Sequence, residues 1–203
     1  MSGDDIIGFL FTLSIFLPSL TVHEYAHGWM AYRFGDDTAA RMGRLTFNPI
    51  AHIDLIGTII LPLIAHFGWA KPVPVNFAVL NKRQIFLVAA AGPASNLLLA
   101  MLLTILFHAL GLDIRTLLGI FMAMAILSNV ILAVFNLIPI PPLDGSKMVY
   151  STLKSPEAIS AFNHFAQYGI FILIGLIWLG GLDEFLWKFL MRLSALIRIP
   201  FPF

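Results

Sequence analysis

The chain has 203 residues, of which 59% are hydrophobic and 11% are charged, and its mean hydropathy is +0.90. Soluble domains contain roughly 45–50% apolar and about 25% charged residues, so this composition indicates an integral membrane protein. A net charge of +1 argues against nucleic-acid binding, and the absence of cysteine excludes thiol catalysis and leaves His, Asp and Glu as metal ligands.

The first apolar segment, Ile6–Ala31, is long enough to span a membrane, because a crossing needs about 20 apolar residues. Near its end it carries the pattern H-E-Y-A-H at residues 23–27. Positions i and i+4 share one face of a helix, so His23 and His27 can bind one Zn²⁺ together. Glu24 can take a proton from a water activated by the metal. Ionisable groups at membrane depth are costly and therefore indicate a functional site.

The next two segments are predicted not to cross the membrane. Ile53–Phe67 is apolar, but as a helix it would rise only about 22 Å, which is short of the hydrocarbon core of about 30 Å. We expect it to enter the membrane and return on the same side. In the following segment, Gly68–Asn76, Pro72 and Pro74 exclude a helix and favour an extended, β-like loop.

Three later apolar segments are long enough to span the membrane: Ile85–Leu110, Leu117–Ile138 and Ala158–Leu182. The first of them is interrupted by Gly92-Pro93. Phe185–Ile199 is shorter and is predicted to lie in the membrane interface. The sequence thus predicts an all-α membrane protein, a polytopic helical bundle of about four full spans with a re-entrant segment, a short C-terminal helix and a small extended loop.

The distribution of basic residues predicts the orientation of the chain. If the re-entrant segment does not cross, seven basic residues fall on one side: Arg33, Arg41, Arg44, Lys82, Arg83, Lys147 and Lys154. Only Arg115 falls in a loop on the other side, together with Asp183 and Glu184. The positive-inside rule makes the first side cytoplasmic.

A catalytic zinc site usually has three protein ligands, so the two histidines need a partner. The remaining candidates are His52, Asp54, His66, His108, Asp144 and His164. Asp144 follows the Leu117–Ile138 span at its cytoplasmic end, at a depth similar to that of the histidine pair, which makes it the best candidate. His52 and Asp54 stay possible as ligands, although we expect them to organise the loop before the re-entrant segment.

Three separated motifs resemble those of the site-2 proteases, intramembrane zinc metalloproteases of peptidase family M50. The first is HEYAHGWMA at residues 23–31. The second, AGPASN at residues 91–96, resembles the family signature A-G-P-x-x-N. The third, FNLIPIPPLDG at residues 135–145, resembles N-x-x-P-x-x-P-x-D-G. The segments 48–58 and 69–75 resemble a compact branch of the family, and no segment is long and polar enough for the PDZ module of larger members.

The resemblance implies that His23, His27 and Asp144 bind one zinc ion and that Glu24 is the general base. It implies hydrolysis of peptide bonds in or near transmembrane segments of membrane-protein substrates. For the oxyanion we expect Asn136 as a hydrogen-bond donor, although this residue can equally bridge two helices. We expect one membrane domain over residues 1–203, with a catalytic core at about 6–150 and additional C-terminal helices at 156–199.

By analogy with the family, we expect the protein in a prokaryotic plasma membrane with its active site towards the cytoplasm. Two other functions are open to such a chain. A metal-ion transporter also carries acids and histidines within its spans, but it needs polar groups at several depths. A catalytically silent, substrate-binding homologue is disfavoured because Glu24 and all three expected ligands are present.

Overall fold

The computed structural model describes residues 3–60, 70–179 and 181–201. Within these ranges the chain forms helices and no β-strand: α1 (Gly3–Arg33), α2 (Thr38–Arg41), α3 (Lys82–Ala109), α4 (Leu117–Asn136), α5 (Asp144–Thr152), α6 (Pro156–Ala166), α7 (Gly169–Trp178) and α8 (Gly181–Ile197). There are 3₁₀ turns at Pro49–His52 and Phe77–Val79 and a π-helical turn at Leu55–Ile60.

Three helices, α1, α3 and α4, are long and apolar enough to cross a membrane, and α6 with α7 makes a fourth span if the bent pair is counted as one. The predicted class, an all-α membrane protein with about four spans, is confirmed. Helix α3 lies at the centre of the bundle and packs against α1, α4 and α5. Small side chains allow this close approach, since Ala89 of α3 and Ala123 and Ala133 of α4 are at most 1% exposed.

The segment predicted as the last span, Ala158–Leu182, is not one straight helix. The segment forms two helices, α6 and α7, which meet at an angle of 54°. Helix α6 carries exposed polar side chains, among them Glu157, Asn163 and His164, which are costly in hydrocarbon. Helix α7 is uniformly apolar, so the break separates a polar-faced helix from an apolar one.

The Gly92-Pro93 pair does not interrupt its helix, contrary to the sequence prediction. Helix α3 continues from Lys82 to Ala109 with Pro93 buried in its interior. Membrane helices tolerate an interior proline because neighbouring groups satisfy the freed backbone atoms. The helix begins with a capping box, in which Asn81 and Gln84 satisfy each other's backbone N–H groups.

The predicted re-entrant segment, Ile53–Phe67, is described up to residue 60, and residues 61–67 lie outside the described residues. Its first part is the π-helical turn at 55–60, where the Asp54 carboxylate accepts a hydrogen bond from the Gly57 N–H at 2.7 Å. The predicted extended loop is described from residue 70 onwards, and it is non-helical up to Asn76. Arg44 fixes this loop by donating to the backbone carbonyls of Lys71 and Pro72.

Asp36 ties the same loop to the end of α1. Its carboxylate accepts hydrogen bonds from the Asn76 backbone N–H at 2.7 Å and from both the N–H and the hydroxyl of Thr38. Burial by itself raises the pKa of the Asp36 carboxyl, but these hydrogen bonds outweigh it and hold the pKa below its usual value. Asp36 is only 3% exposed, and its hydrogen bonds link the C-terminal end of α1 to the extended loop.

We expect Asp36→Ala to lower the free energy of unfolding at pH 7 by about 1–3 kcal/mol, the cost of unpaired buried N–H groups. The difference in the free energy of unfolding from the wild type should persist above about pH 4. It should disappear as the pH falls through the lower pKa that Asp36 has in the folded state, because only the ionised carboxylate is stabilised by these hydrogen bonds. Denaturant unfolding of detergent-solubilised protein at several pH values measures this. The neighbouring variant Asp37→Ala removes only a surface ion pair with Arg41 and serves as the control. Equal effects of the two variants would refute the assignment.

Candidate metal centre

His23 and His27 lie one turn apart on α1 and are both buried, at 3% and 7% exposure. Their Nε2 atoms are 3.0 Å apart. Asp144, the first residue of α5, places Oδ2 at 3.0 Å from His23 Nε2 and at 2.9 Å from His27 Nε2. The part of the chain that the structure describes contains no other group of three such side chains with ligand atoms this close together.

The hydrogen bonds behind the two imidazoles fix their tautomers. The Asn96 Nδ2 group donates to the Ser19 carbonyl at 3.0 Å, and a carbonyl can only accept. Asn96 Oδ1 therefore faces His23 Nδ1 at 2.6 Å, and it must accept from an Nδ1–H group. His27 Nδ1 donates in the same way to the Val88 carbonyl at 2.7 Å. In the neutral imidazoles both Nε2 atoms then carry lone pairs.

Three acceptor atoms thus converge within about 3 Å in a buried space, and lone pairs at such distances repel unless a positive charge lies between them. Shared protons or a metal ion can supply that charge. Two imidazole nitrogens and one carboxylate oxygen match the donor set of a catalytic zinc site, which keeps a further position open for water or substrate. The outer hydrogen bonds from Nδ1 are also those that metal-binding histidines normally make. The residues therefore fit a zinc ion.

Gly92 forms the wall of this space. A Cβ atom at position 92 would lie 2.3 Å from His27 Nε2 and 2.6 Å from His23 Nε2. Any side chain there would occupy the volume between the two nitrogens. A glycine is thus required here by the closeness of α3 to the ligands.

Glu24 is next to His23 on α1, and its side chain lies where α1 packs against the extended loop. Its Oε2 atom accepts a hydrogen bond from the Val73 backbone N–H at 2.7 Å. The Val73 side chain packs on Gly28, where an added Cβ would come within 2.9 Å of Val73 Cγ1. Helix and loop are therefore in close contact at this point, and the half-buried Glu24 carboxylate has a fixed orientation.

The other described candidates do not belong to this group of three ligands, and His66 lies outside the described residues. Asn136 donates its amide N–H to the Leu132 carbonyl of its own helix at 2.9 Å. His52 bonds through Nε2 to the Thr46 carbonyl, and its own carbonyl accepts from the Lys71 N–H, as expected of a residue that organises the loop. Neither His52 nor Asp54 belongs to the metal-binding group.

Sequence reasoning missed two contributors to the site, Asn129 and Ser19. Asn129, fully buried on α4, accepts from Asn96 Nδ2 at 2.8 Å and donates to the Ser19 hydroxyl and to the Ala125 carbonyl. It also missed Lys147, whose Nζ lies 2.9 Å from Asp144 Oδ1, the carboxylate oxygen that faces away from the histidines. The available signal for Asn129 was an amide side chain in the middle of a predominantly apolar span.

Comparison with known proteins agrees with this site. The model of peptidase family M50 matches residues 11–116 and 112–179, which is most of the chain. This chain belongs to peptidase family M50. The enzyme class predicted from the motifs, an intramembrane zinc metalloprotease, is thereby confirmed.

This M50 peptidase has relatives in several bacteria. It is 42% identical over 167 residues to a Bacillus subtilis (strain 168) protein named "Putative zinc metalloprotease YwhC", and the match covers 78% of this chain and 75% of that protein. It is 33% identical over 177 residues to "Putative zinc metalloprotease Rip2" of Mycolicibacterium smegmatis, covering 83% and 67% of the two chains. The Mycobacterium tuberculosis H37Rv protein of the same name is 33% identical over 171 residues, covering 82% and 66%. No solved structure matches the chain.

We expect Gly92→Ala to abolish zinc binding, because the added methyl group takes the space between the two Nε2 atoms. The loss should exceed the roughly 10–100-fold drop in affinity that follows removal of an outer hydrogen-bond partner of a ligand. Competition with a chromophoric chelator, on protein purified in detergent, measures it. Gly8→Ala is the matched control on α1, because a Cβ at position 8 meets no atom within 4 Å. Zinc binding by Gly92→Ala at wild-type affinity would contradict the proposed ligand geometry.

We expect Asn96→Ala to weaken zinc binding by about 10–100-fold, because His23 loses the acceptor that fixes its tautomer. The chelator competition applies again, with Ser95→Ala as control. Ser95 is adjacent in sequence, but its hydroxyl bonds only to the Gly92 carbonyl of its own helix. The role assigned to Asn96 fails if the two variants bind zinc equally well.

Proposed function

We propose that this M50 peptidase holds one zinc ion per chain with His23, His27 and Asp144 and hydrolyses peptide bonds in or next to transmembrane segments of other membrane proteins. The observation that carries this proposal is the convergence of two Nε2 lone pairs from the membrane-spanning helix α1 with one carboxylate oxygen from α5, next to a glutamate. The family supports the enzyme class, and the donor set supports the metal.

A zinc ion at this site supplies Lewis acidity, which activates water and polarises a scissile carbonyl. The protein's own residues handle the proton. Glu24 is adjacent to the first histidine, and its carboxylate accepts the proton of the attacking water and passes it to the leaving amine. The hydrogen bond from the Val73 N–H orients this carboxylate while leaving Oε1 for the proton.

We assign stabilisation of the developing oxyanion to Asn136, a neutral donor and the last residue of α4. In the structure its amide N–H is bonded to the Leu132 carbonyl. The donor role therefore requires the side chain to exchange this local bond for one to the substrate. Such an exchange is inexpensive, because the amide is half-buried and near the end of α4.

The site belongs at the cytoplasmic side of the membrane in this proposal. Four basic residues are on the side of the ligands: Arg33 at the end of α1, Lys82 and Arg83 at the start of α3, and Lys147 on α5. The positive-inside rule assigns that side to the cytoplasm. The bacterial relatives support a plasma-membrane location. Substrates are then membrane proteins whose spanning segments reach the site from within the bilayer.

We expect Glu24→Gln to bind zinc like the wild type and to lose peptide-bond cleavage by at least about 100-fold, because general-base catalysis typically contributes 10²–10⁴-fold. Both proteins are reconstituted in liposomes with a substrate that contains a transmembrane segment, and zinc content and cleavage are measured together. His23→Ala is the matched variant, which should lose both zinc and cleavage.

Normal cleavage by Glu24→Gln would refute the role of Glu24. Movement of zinc across the liposome membrane without cleavage by either protein would favour a metal-ion transporter. Substrate capture without cleavage or transport would favour a catalytically silent, substrate-binding homologue.

A further inference from the structure

The loop that leads into Asp144, residues 137–143, is held from two sides by glycine backbone. On one side, a Cβ at Gly145 would lie 2.2 Å from the Leu137 carbonyl oxygen. On the other side, a Cβ at Gly169 would lie 2.3 Å from the Pro141 carbonyl oxygen and 2.8 Å from the Pro141 Cβ. Gly145 is next to the ligand in sequence, but Gly169 begins α7 in the C-terminal part of the chain.

Gly169 is one point at which the bent pair α6–α7 packs on the rest of the protein. Helix α6 has no buried residue, whereas α7 buries Gly169 and Leu173, which are one turn apart on the same helix face. Pro141 is also buried. The start of α7 therefore packs directly on the backbone of the ligand loop.

We propose that Gly169 is a positioning residue for Asp144, so that the C-terminal helices are part of the metal site. The proposal rests on the assignment of Asp144 as a ligand in the proposed function. Pro141 is three residues before Asp144, and the rings of Pro141 and Pro142 restrict the φ angles of these two residues. A shift of the Pro141 carbonyl is therefore transmitted along the chain to the carboxylate.

A side chain at position 169 cannot be accommodated by a rotamer change, because the obstructing atoms are the backbone carbonyl group and the ring Cβ of Pro141. The ligand loop, or α7, has to move. Functional metal sites tolerate displacements of only about 0.5 Å. Asp144 Oδ2 is 2.9–3.0 Å from both histidine nitrogens, so even a small displacement should open the ligand triangle.

The experiment compares Gly169→Ala and Gly169→Val with Gly175→Ala and Gly175→Val in the full-length protein. Gly175 is on the same helix, and a Cβ there meets no atom within 4 Å, so its variants control for glycine replacement in α7. Zinc affinity is measured by chelator competition, and cleavage is measured at saturating zinc. Circular dichroism and thermal unfolding of the metal-free protein report on the fold.

We expect Gly169→Ala to weaken zinc binding by about 10-fold, the scale seen when a ligand loses its outer support, and Gly169→Val to weaken it further. Both Gly175 variants should stay within about twofold of the wild type, and at saturating zinc the Gly169 variants should recover part of their cleavage. Should Gly169→Val fail to fold, Gly169→Ala, which adds one carbon, decides the question.

Wild-type zinc affinity in Gly169→Ala would overturn the proposal, as would equal losses at positions 169 and 175. A loss of cleavage with unchanged zinc affinity would also overturn it, because the contact would then act on something other than Asp144. If the wild type binds zinc but cleaves no substrate, the proposed function fails, and the comparison of zinc affinities still decides the role of Gly169.

Discussion

Electrostatic repulsion among three buried acceptor atoms is the constraint on which this structure depends. His23 and His27 point lone pairs at each other and at Asp144 across about 3 Å, in surroundings where charges are poorly screened. The arrangement is stable only with a positive charge at its centre. The helices around it are placed accordingly: α1 supplies the nitrogens, α5 supplies the carboxylate, and α3 provides Gly92, which leaves the centre free.

The polar network behind the ligands shows how a membrane protein can bury so many hydrogen-bonding groups. Ser19, Asn96 and Asn129 come from three helices, and each donor among them has an acceptor. In hydrocarbon an unsatisfied group costs several kcal/mol, so a partial network would weaken the bundle. The complete network ends at His23 Nδ1, and helix packing and ligand orientation therefore depend on the same hydrogen bonds.

The parts of the site that depend on local spacing could be predicted from sequence. The i, i+4 relation of His23 and His27 is a property of any helix. The side of the membrane reached by each loop made Asp144 the best candidate for the third ligand, while His52 and Asp54 stayed possible. The role of Asn129 could not be predicted, since its partners come from other helices and only packing brings them together. The break between α6 and α7 was not predicted, because the sequence prediction used only the length of the apolar segment. The polar face of α6 and the contact of Gly169 with Pro141 set the boundary between the two helices.

The backbone N–H groups of the extended loop also affect association between molecules. Within residues 71–74 the Lys71 N–H donates to the His52 carbonyl and the Val73 N–H donates to Glu24, while Pro72 and Pro74 have no N–H. This stretch of backbone therefore has no free donor with which to pair a strand from another chain. Exposed strand edges promote edge-to-edge aggregation, and prolines are a common protection against it. The loop can thus stay extended next to the ligands without becoming a site of self-association.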